Sequence, residues 1–263
     1  MNVRIPNDFS VSTDPIVRSM FNADLYDWWG RMLNLEEVHK YATGEGVQIV
    51  VADTGTYHHP DLEDNGQVID CTGNNDPTDR NGHSTHCRGI MGMQANGQGY
   101  VGIVPGATIN LAKILDDGGI GTESWVDQSM VWTMDNDFDV YSGSLAFDGE
   151  SPKIAKRVKQ MYEKGIVCCF AAGNYFKHSL AFPASLAQAI AAGAHDAGKL
   201  PANFSHTAES ILQAKNLILA PGVHVHSSWI DGQYRSASGS SQSVPMVAGC
   251  AALIIELERN LGA

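Results

Sequence analysis

Short, nearly unbroken apolar runs recur along the chain, at 47–52, 109–115, 140–145, 166–171, 189–192 and 217–220. Runs of this length without polar alternation predict strands buried on both faces. Between several of them the period changes. Val126, Met130 and Met134 recur every fourth residue, and Ile154, Val158 and Met161 keep to one face of a helix. A further helical stretch is predicted over 33–41, separated from the first strand by the turn Gly44-Glu45-Gly46. Strands alternating with helices predict an α/β fold: three layers, doubly wound, with a mostly parallel central sheet and helices on both faces. Residues 1–22 carry little periodic signal and read as an N-terminal extension or arm, while 23–263 show no linker, repeat or low-complexity break and read as one domain. In such sheets reactive groups gather at the carboxyl ends of the strands, so a functional motif should directly follow a strand.

Composition narrows the function. Of 263 residues, 43% are apolar and 17% charged, enough for a sizeable core. The net charge of −12 argues against a nucleic-acid partner, which needs a basic face. No apolar run reaches the length of a membrane span, and the opening residues 1–7 lack the basic-then-apolar order of a secretory signal. A complete chain is therefore expected to be cytoplasmic; a secreted protein would have lost a leader and a pro-domain. Five cysteines, Cys71, Cys87, Cys168, Cys169 and Cys250, leave at least one unpaired. Cys168 and Cys169 are neighbours on a predicted strand and point to opposite faces, so reduced, buried thiols are expected.

Three motifs pass the strand-end test. Asp53-Thr54-Gly55 follows the first strand; alone it reads as a turn, or as half of an aspartic-protease pair whose second copy this chain lacks. His83-Ser84-Thr85-His86 opens a helix, where two histidines three apart share a face, but no further ligand stands at zinc spacing. Ser238-Gly239-Ser240-Ser241-Gln242-Ser243-Val244-Pro245 precedes a long apolar run; small residues and a proline expected in the first turn mark a helix start, where serine is most often a cap. Together they supply what acyl transfer requires: a hydroxyl nucleophile, an imidazole to take its proton, and a carboxylate to orient the imidazole.

These segments resemble the three signatures of the subtilisin family of serine proteases, which share the chain order Asp, His, Ser. The resemblance extends to Gly102-Ile103-Val104-Pro105-Gly106-Ala107, to Phe170-Ala171-Ala172-Gly173-Asn174 and to Ala220-Pro221-Gly222-Val223, and runs from about Asp24 to Ile255. It implies a serine endopeptidase in which Ser241 is the nucleophile, His83 the base, Asp53 its orienting carboxylate and Asn174 the oxyanion donor. It implies that Gly119, Ile120 and Gly121 and, opposite, Ser144, Leu145 and Ala146 pair with the backbone of an extended polypeptide substrate, with Ala172 and Gly173 along the primary pocket. It implies a structural Ca2+ bound by Asp24, Asp61, Asn96 and the carbonyls of Gln94, Gln98 and Tyr100. Cys87 falls where proteinase K-like members carry a free cysteine, and His86 reads as structural. Glu123, beside the first substrate segment, reads as a helix-start carboxylate or a contact for a basic substrate residue. The expected protein is a monomer acting on polypeptides, with no nucleic-acid or membrane partner.

The sequence also departs from the family. Ser84 replaces the usual glycine, Gln242 the usual methionine and Met246 the usual histidine, while Ala146 and Phe147 replace paired glycines. The elements that usually follow the serine helix are missing before residue 263. The alternative these departures raise is an impaired pseudoprotease serving as a peptide-binding module. Residues before Asp24 resemble in length the inhibitory arm of intracellular subtilisins, so they are expected to cover the active site.

Overall fold

The computed structural model describes residues 1–6, 10–12 and 25–262. Its centre is a seven-stranded parallel sheet of β1 (Gln48–Asp53), β2 (Val68–Asp70), β3 (Thr108–Lys113), β4 (Val140–Gly143), β5 (Val167–Ala171), β6 (Ile190–His195) and β7 (Leu217–Pro221), in the order β7-β6-β5-β4-β1-β3-β2. The six predicted strands are all present. The unpredicted one, β2, has three residues at the sheet edge, all intermediate or exposed, so it carries no apolar run.

Helices α1 (His83–Gly92), α2 (Glu123–Asp135), α3 (Pro152–Glu163) and α4 (Ser240–Leu261) cover the two faces. One core joins Ile90 and Met91 of α1 to Val244, Met246 and Ala248 of α4 and to Ile49 and Val51 of β1. The other joins Val126 and Met130 of α2 to Ile154, Val158 and Met161 of α3 and to Val50 and Ala52 of β1. Alternate residues of β1 thus enter opposite cores, which is why that strand reads as apolar throughout. Thr122 caps α2 through Trp125 N, and Ser151 caps α3 through Ile154 N with Pro152 next in line.

Two expectations are corrected. The stretch over 33–41 is not one helix: Trp28–Met32 and Leu35–Val38 are separate short helices, because Asn34 adopts a left-handed conformation (φ 55°) that a continuous helix excludes. Pro245 lies in the second turn of α4, not the first, so it removes the amide that would bond the carbonyl of Ser241 four residues earlier. The vacancy is filled from outside the helix: Ser144 Oγ donates to the Ser241 carbonyl at 2.8 Å, with Cys87 Sγ at 3.6 Å.

Among the described residues α4 is the helix long and apolar enough to cross a membrane, but most of it is buried between α1 and the sheet. All five cysteines are free thiols, four buried and Cys250 half-buried.

Two small antiparallel sheets flank the main one. In the first, Asn2–Arg4 runs between Ile120–Thr122 and Ala146–Phe147. In the second, Val225–Ser228 pairs with Tyr234–Ser238, which pairs with Ser10–Val11.

Candidate active site

Asp53 ends β1, between β3 and β4, where the strand order reverses and an open α/β sheet leaves a crevice. His83 is the first residue of α1. Its Nδ1 lies 2.7 Å from Asp53 Oδ1 and 2.9 Å from Oδ2, and both side chains are fully buried. Thr54 N donates to the same carboxylate at 2.7 Å, fixing its orientation. Burial pushes the imidazole towards the neutral form, but the adjacent Asp53 carboxylate outweighs it and the His83 pKa is raised well above its usual value.

Ser241 is the second residue of α4, where free amides and the macrodipole favour negative charge. Its hydroxyl is buried and has no hydrogen-bond partner among the described residues. Asn174 follows Gly173, whose φ of 111° turns the chain sharply after β5. Ser240 N donates to Asn174 Oδ1 at 2.8 Å, which fixes the carboxamide and leaves its Nδ2 facing the cleft. There it meets the carbonyl of Pro6 at 3.5 Å.

A deeper scaffold escaped the sequence reading. Asp79, 1% exposed, has Oδ1 accepting from Thr54 Oγ1 (2.9 Å), Asn81 N (3.0 Å) and Gly82 N (2.8 Å), and Oδ2 accepting from Thr85 N (2.9 Å) and Thr85 Oγ1 (2.6 Å). One carboxylate therefore ties the turn after Asp53 to the helix that starts with His83. Ser84 joins the same knot: its amide donates to Thr54 Oγ1 at 3.0 Å and its hydroxyl to the Gly55 carbonyl, so the side chain turns away from the cleft. His86 is held between the carbonyls of Val225 and Arg235 at 3.1 and 3.2 Å, and burial lowers its pKa to about 3. Cys87 Sγ is 3.9 Å from His83 Nδ1, and burial raises its pKa.

The structure puts the expected substrate segments around a strand of the chain itself. Val3 pairs with Gly121 and Phe147, and Arg4 with Ile120 and Ala146. Ile5 N donates to Gly119 O at 3.1 Å. A Cβ at Gly121 would stand 2.9 Å from Val3 Cγ1, and one at Gly119 2.7 Å from Ile5 Cδ1, so the glycines make the space these side chains fill. Glu123 begins α2, and its amide donates to the Met1 carbonyl at 3.3 Å. Ser144 and Leu145 are buried, Ser144 against Ser241 and Leu145 in the core, while Ala172 packs in the core beside Gly173.

The residues expected around a cation gather only in part. Asp61, fully buried, accepts from Gln94 N at 3.3 Å and from Tyr234 OH at 3.2 Å, both neutral donors at long range. Asn96 Oδ1 accepts from Gln98 N at 2.9 Å in its own turn. The Gln94 side chain points elsewhere, donating to Gly92 O and Pro105 O, and the Tyr100 ring stacks on His226. Asp24 lies outside the described residues. A buried carboxylate with carboxamide and carbonyl oxygens near it is a donor set that suits a hard cation.

The Subtilase family model matches residues 44–263, a span that holds Asp53, His83, Asn174 and Ser241. The chain belongs to the subtilase family. The family's members are serine-type endopeptidases, and the three-layer fold agrees with theirs. The chain is 34% identical over 212 residues to Subtilisin Savinase of Lederbergia lenta, covering 81% of this chain and 77% of that one. It is 34% identical over 225 residues to Subtilisin DY of Bacillus licheniformis, covering 84% and 80%. It is also 34% identical to an alkaline protease of Alkalihalobacillus alcalophilus, of which the match spans about half, 54%.

Proposed function

We propose that this subtilase hydrolyses peptide bonds with Ser241 as nucleophile, His83 as general base and then acid, and Asp53 holding the His83 tautomer. The observation that carries the reading is the buried, doubly bonded contact of His83 Nδ1 with Asp53, which leaves Nε2 as the nitrogen for proton transfer. Asn174 Nδ2, fixed by Ser240, donates to the oxyanion that forms as Ser241 attacks, and the α4 amides add to it. A fluorophosphonate should form an adduct on the wild type and none on Ser241→Ala. A chain lacking residues 1–20 that stays unlabelled after prolonged exposure at alkaline pH would favour a peptide-binding module instead.

The substrate is a polypeptide in extended form, because residues 119–122 and 146–147 receive a third strand by backbone pairing. The arm now occupies that place in the substrate's manner, with the Pro6 carbonyl at the oxyanion donor. It acts as an inhibitor within a single chain, as a monomer. Deletion of residues 1–20, or Val3→Asp in the full chain, should raise peptide hydrolysis; unchanged rates in both would dismiss the inhibitory role. Ca2+ is assigned to Asp61, Asn96 and the Gln94, Gln98 and Tyr100 carbonyls, with Asp24 added from the sequence, as a structural ion. A chelator should lower the melting temperature of the wild type and not of Asp61→Asn.

A further inference from the structure

The arm shows which of its side chains the cleft meets with a charge. Two contacts fix its register. The Pro6 carbonyl lies 3.5 Å from Asn174 Nδ2, and Val3, fully buried in the core, pairs with Gly121 on one side and Phe147 on the other. Side chains alternate across a strand, so with Val3 turned inward Arg4 turns the other way. Arg4 pairs in register with Ala146, and its side chain reaches Asp148, the residue after the strand Ala146–Phe147, where Nη2 meets Oδ1 at 2.6 Å.

Asp148 is held at a fixed place beside that strand. Its backbone amide donates to the Asn2 carbonyl at 3.4 Å, and Phe147 before it packs edge-on against Phe182, the ring centroids 5.6 Å apart. The other charged groups around the arm lie elsewhere. Lys177, which borders the same part of the cleft, sits over the Tyr175 ring, 5.6 Å from its centroid. Glu123, the carboxylate that the sequence offered to a basic substrate residue, stands at the far end of the arm strand, where its amide donates to the Met1 carbonyl, three residues before Arg4. A neutral side chain at position 4 would bring Asp148 no charge, and an acidic one would face it as a like charge.

We propose that Asp148 gives this subtilase a preference for substrates with a basic residue two places before the residue whose carbonyl is attacked. The proposal rests on the proteolytic reading of the cleft, because that reading makes the place of Pro6 the place of the attacked carbonyl and the place of Arg4 a substrate position. The two side chains are 42% and 44% exposed, so water screens the pair and the preference is modest. Over a neutral residue of similar length it amounts to about two- to fivefold, with discrimination of similar size against an acidic one.

The test uses peptides that differ only at that place, carrying arginine, glutamine or glutamate. In the full chain, competition from the arm scales every rate alike, so ratios of kcat/KM report the place itself. Arginine should exceed glutamine, and glutamine glutamate, by about two- to fivefold each at low salt. The ratios should shrink towards unity in 1 M salt, where the Debye length falls to about 3 Å. Asp148→Asn should remove the order and Asp148→Lys should reverse it. Equal rates on the three peptides at low salt, or an order that survives Asp148→Asn, would overturn the proposal. A second measurement needs no turnover. In the full chain carrying Ser241→Ala, Arg4→Gln should speed amide-hydrogen exchange in the arm strand by about two- to fivefold, and should have no further effect once Asp148→Asn is present. The same acceleration in both backgrounds would sink the assignment to Asp148. Failure of the proteolytic reading is read separately, from fluorophosphonate labelling of the chain that retains Ser241, and the exchange measurement decides the pairing whatever that labelling shows.

Discussion

Replacing Asp79 by asparagine tests whether the Asp53–His83 contact is held by its surroundings. The five hydrogen bonds to its carboxylate join Thr54, next to Asp53, to the first turn of α1. Asparagine keeps one oxygen, so the contacts of Thr54, Asn81 and Gly82 persist without charge. Its amide then faces Thr85 N, a donor against a donor, across 2.9 Å. One buried backbone N–H loses its acceptor, at about 1–3 kcal/mol, and the charge assistance of the others weakens, giving about 2–4 kcal/mol in all. Alanine orphans every partner and should cost more, a large share of the 5–15 kcal/mol typical of a domain. Stability is read by urea unfolding. Function is read by kcat/KM on a peptide at a temperature where the variant stays folded. Because a 1 Å misplacement of a catalytic group costs on the order of 10²-fold, kcat should fall by about that factor with KM little changed. The acid limb of the pH profile should move to lower pH as His83 loses its fixed distance to Asp53, the contact that raises its pKa. An Asp79→Asn variant less than 0.5 kcal/mol destabilised, with wild-type kcat, would refute the idea that this carboxylate positions the pair.

Other outcomes follow from contacts described above. In the proposed mechanism His83 must be neutral to accept a proton, and its folded pKa lies above the ordinary value, so kcat/KM should fall as pH drops through a midpoint above about 6.5; a flat profile from pH 5 to 8 would contradict this. The same raised pKa means the His83–Asp53 ion pair stabilises the fold fully below the unfolded pKa and loses that contribution as pH rises through the folded one, which chemical unfolding of Ser241→Ala across that window should register. Glu256, near the end of α4, accepts from the amides of Thr43, Gly44 and Glu45 at 2.8, 2.5 and 3.1 Å; Glu256→Ala should cost about 2–4 kcal/mol and lower the melting temperature by roughly 5–10 °C, Glu256→Gln less. Cys87 is fully buried and its pKa is raised, so iodoacetamide should leave activity intact, whereas a mercurial that reaches Sγ beside His83 should abolish it in wild type and not in Cys87→Ala.

The parallel sheet was legible because both of its faces are covered. A strand such as β1, which sends Ile49 and Val51 into one core and Val50 and Ala52 into the other, has no polar positions to disguise it. Strand β2, short and at the edge, had no such signature. The candidate site was legible where the chemistry is tied to local pattern, a carboxylate after a strand or a serine at a helix start. Asp79 was missed because it stands in an Asp-, Asn- and Thr-rich loop, where its side chain looks like any turn residue; only folding brings Thr54 and Thr85 to it. The pairing of residues 2–4 rests on backbone hydrogen bonds, which leave little trace in side-chain pattern. Pro245 was read by type rather than by count, and the count, four residues after Ser241, is what gives it meaning.

That the third strand of the cleft belongs to the same chain changes how the cleft competes for ligands. A tethered segment presents itself at a local concentration set by the length of its connection, commonly in the millimolar range, however dilute the protein. Diluting the protein does not free the cleft, and adding more does not block it further. On the inhibitory reading, a peptide gains the site only by binding better than the tethered strand, or by arriving while that strand is drawn aside. If the arm inhibits as proposed, the composition of Asn2–Arg4 is a threshold written into the sequence: each contact it loses lowers the affinity that a substrate must have.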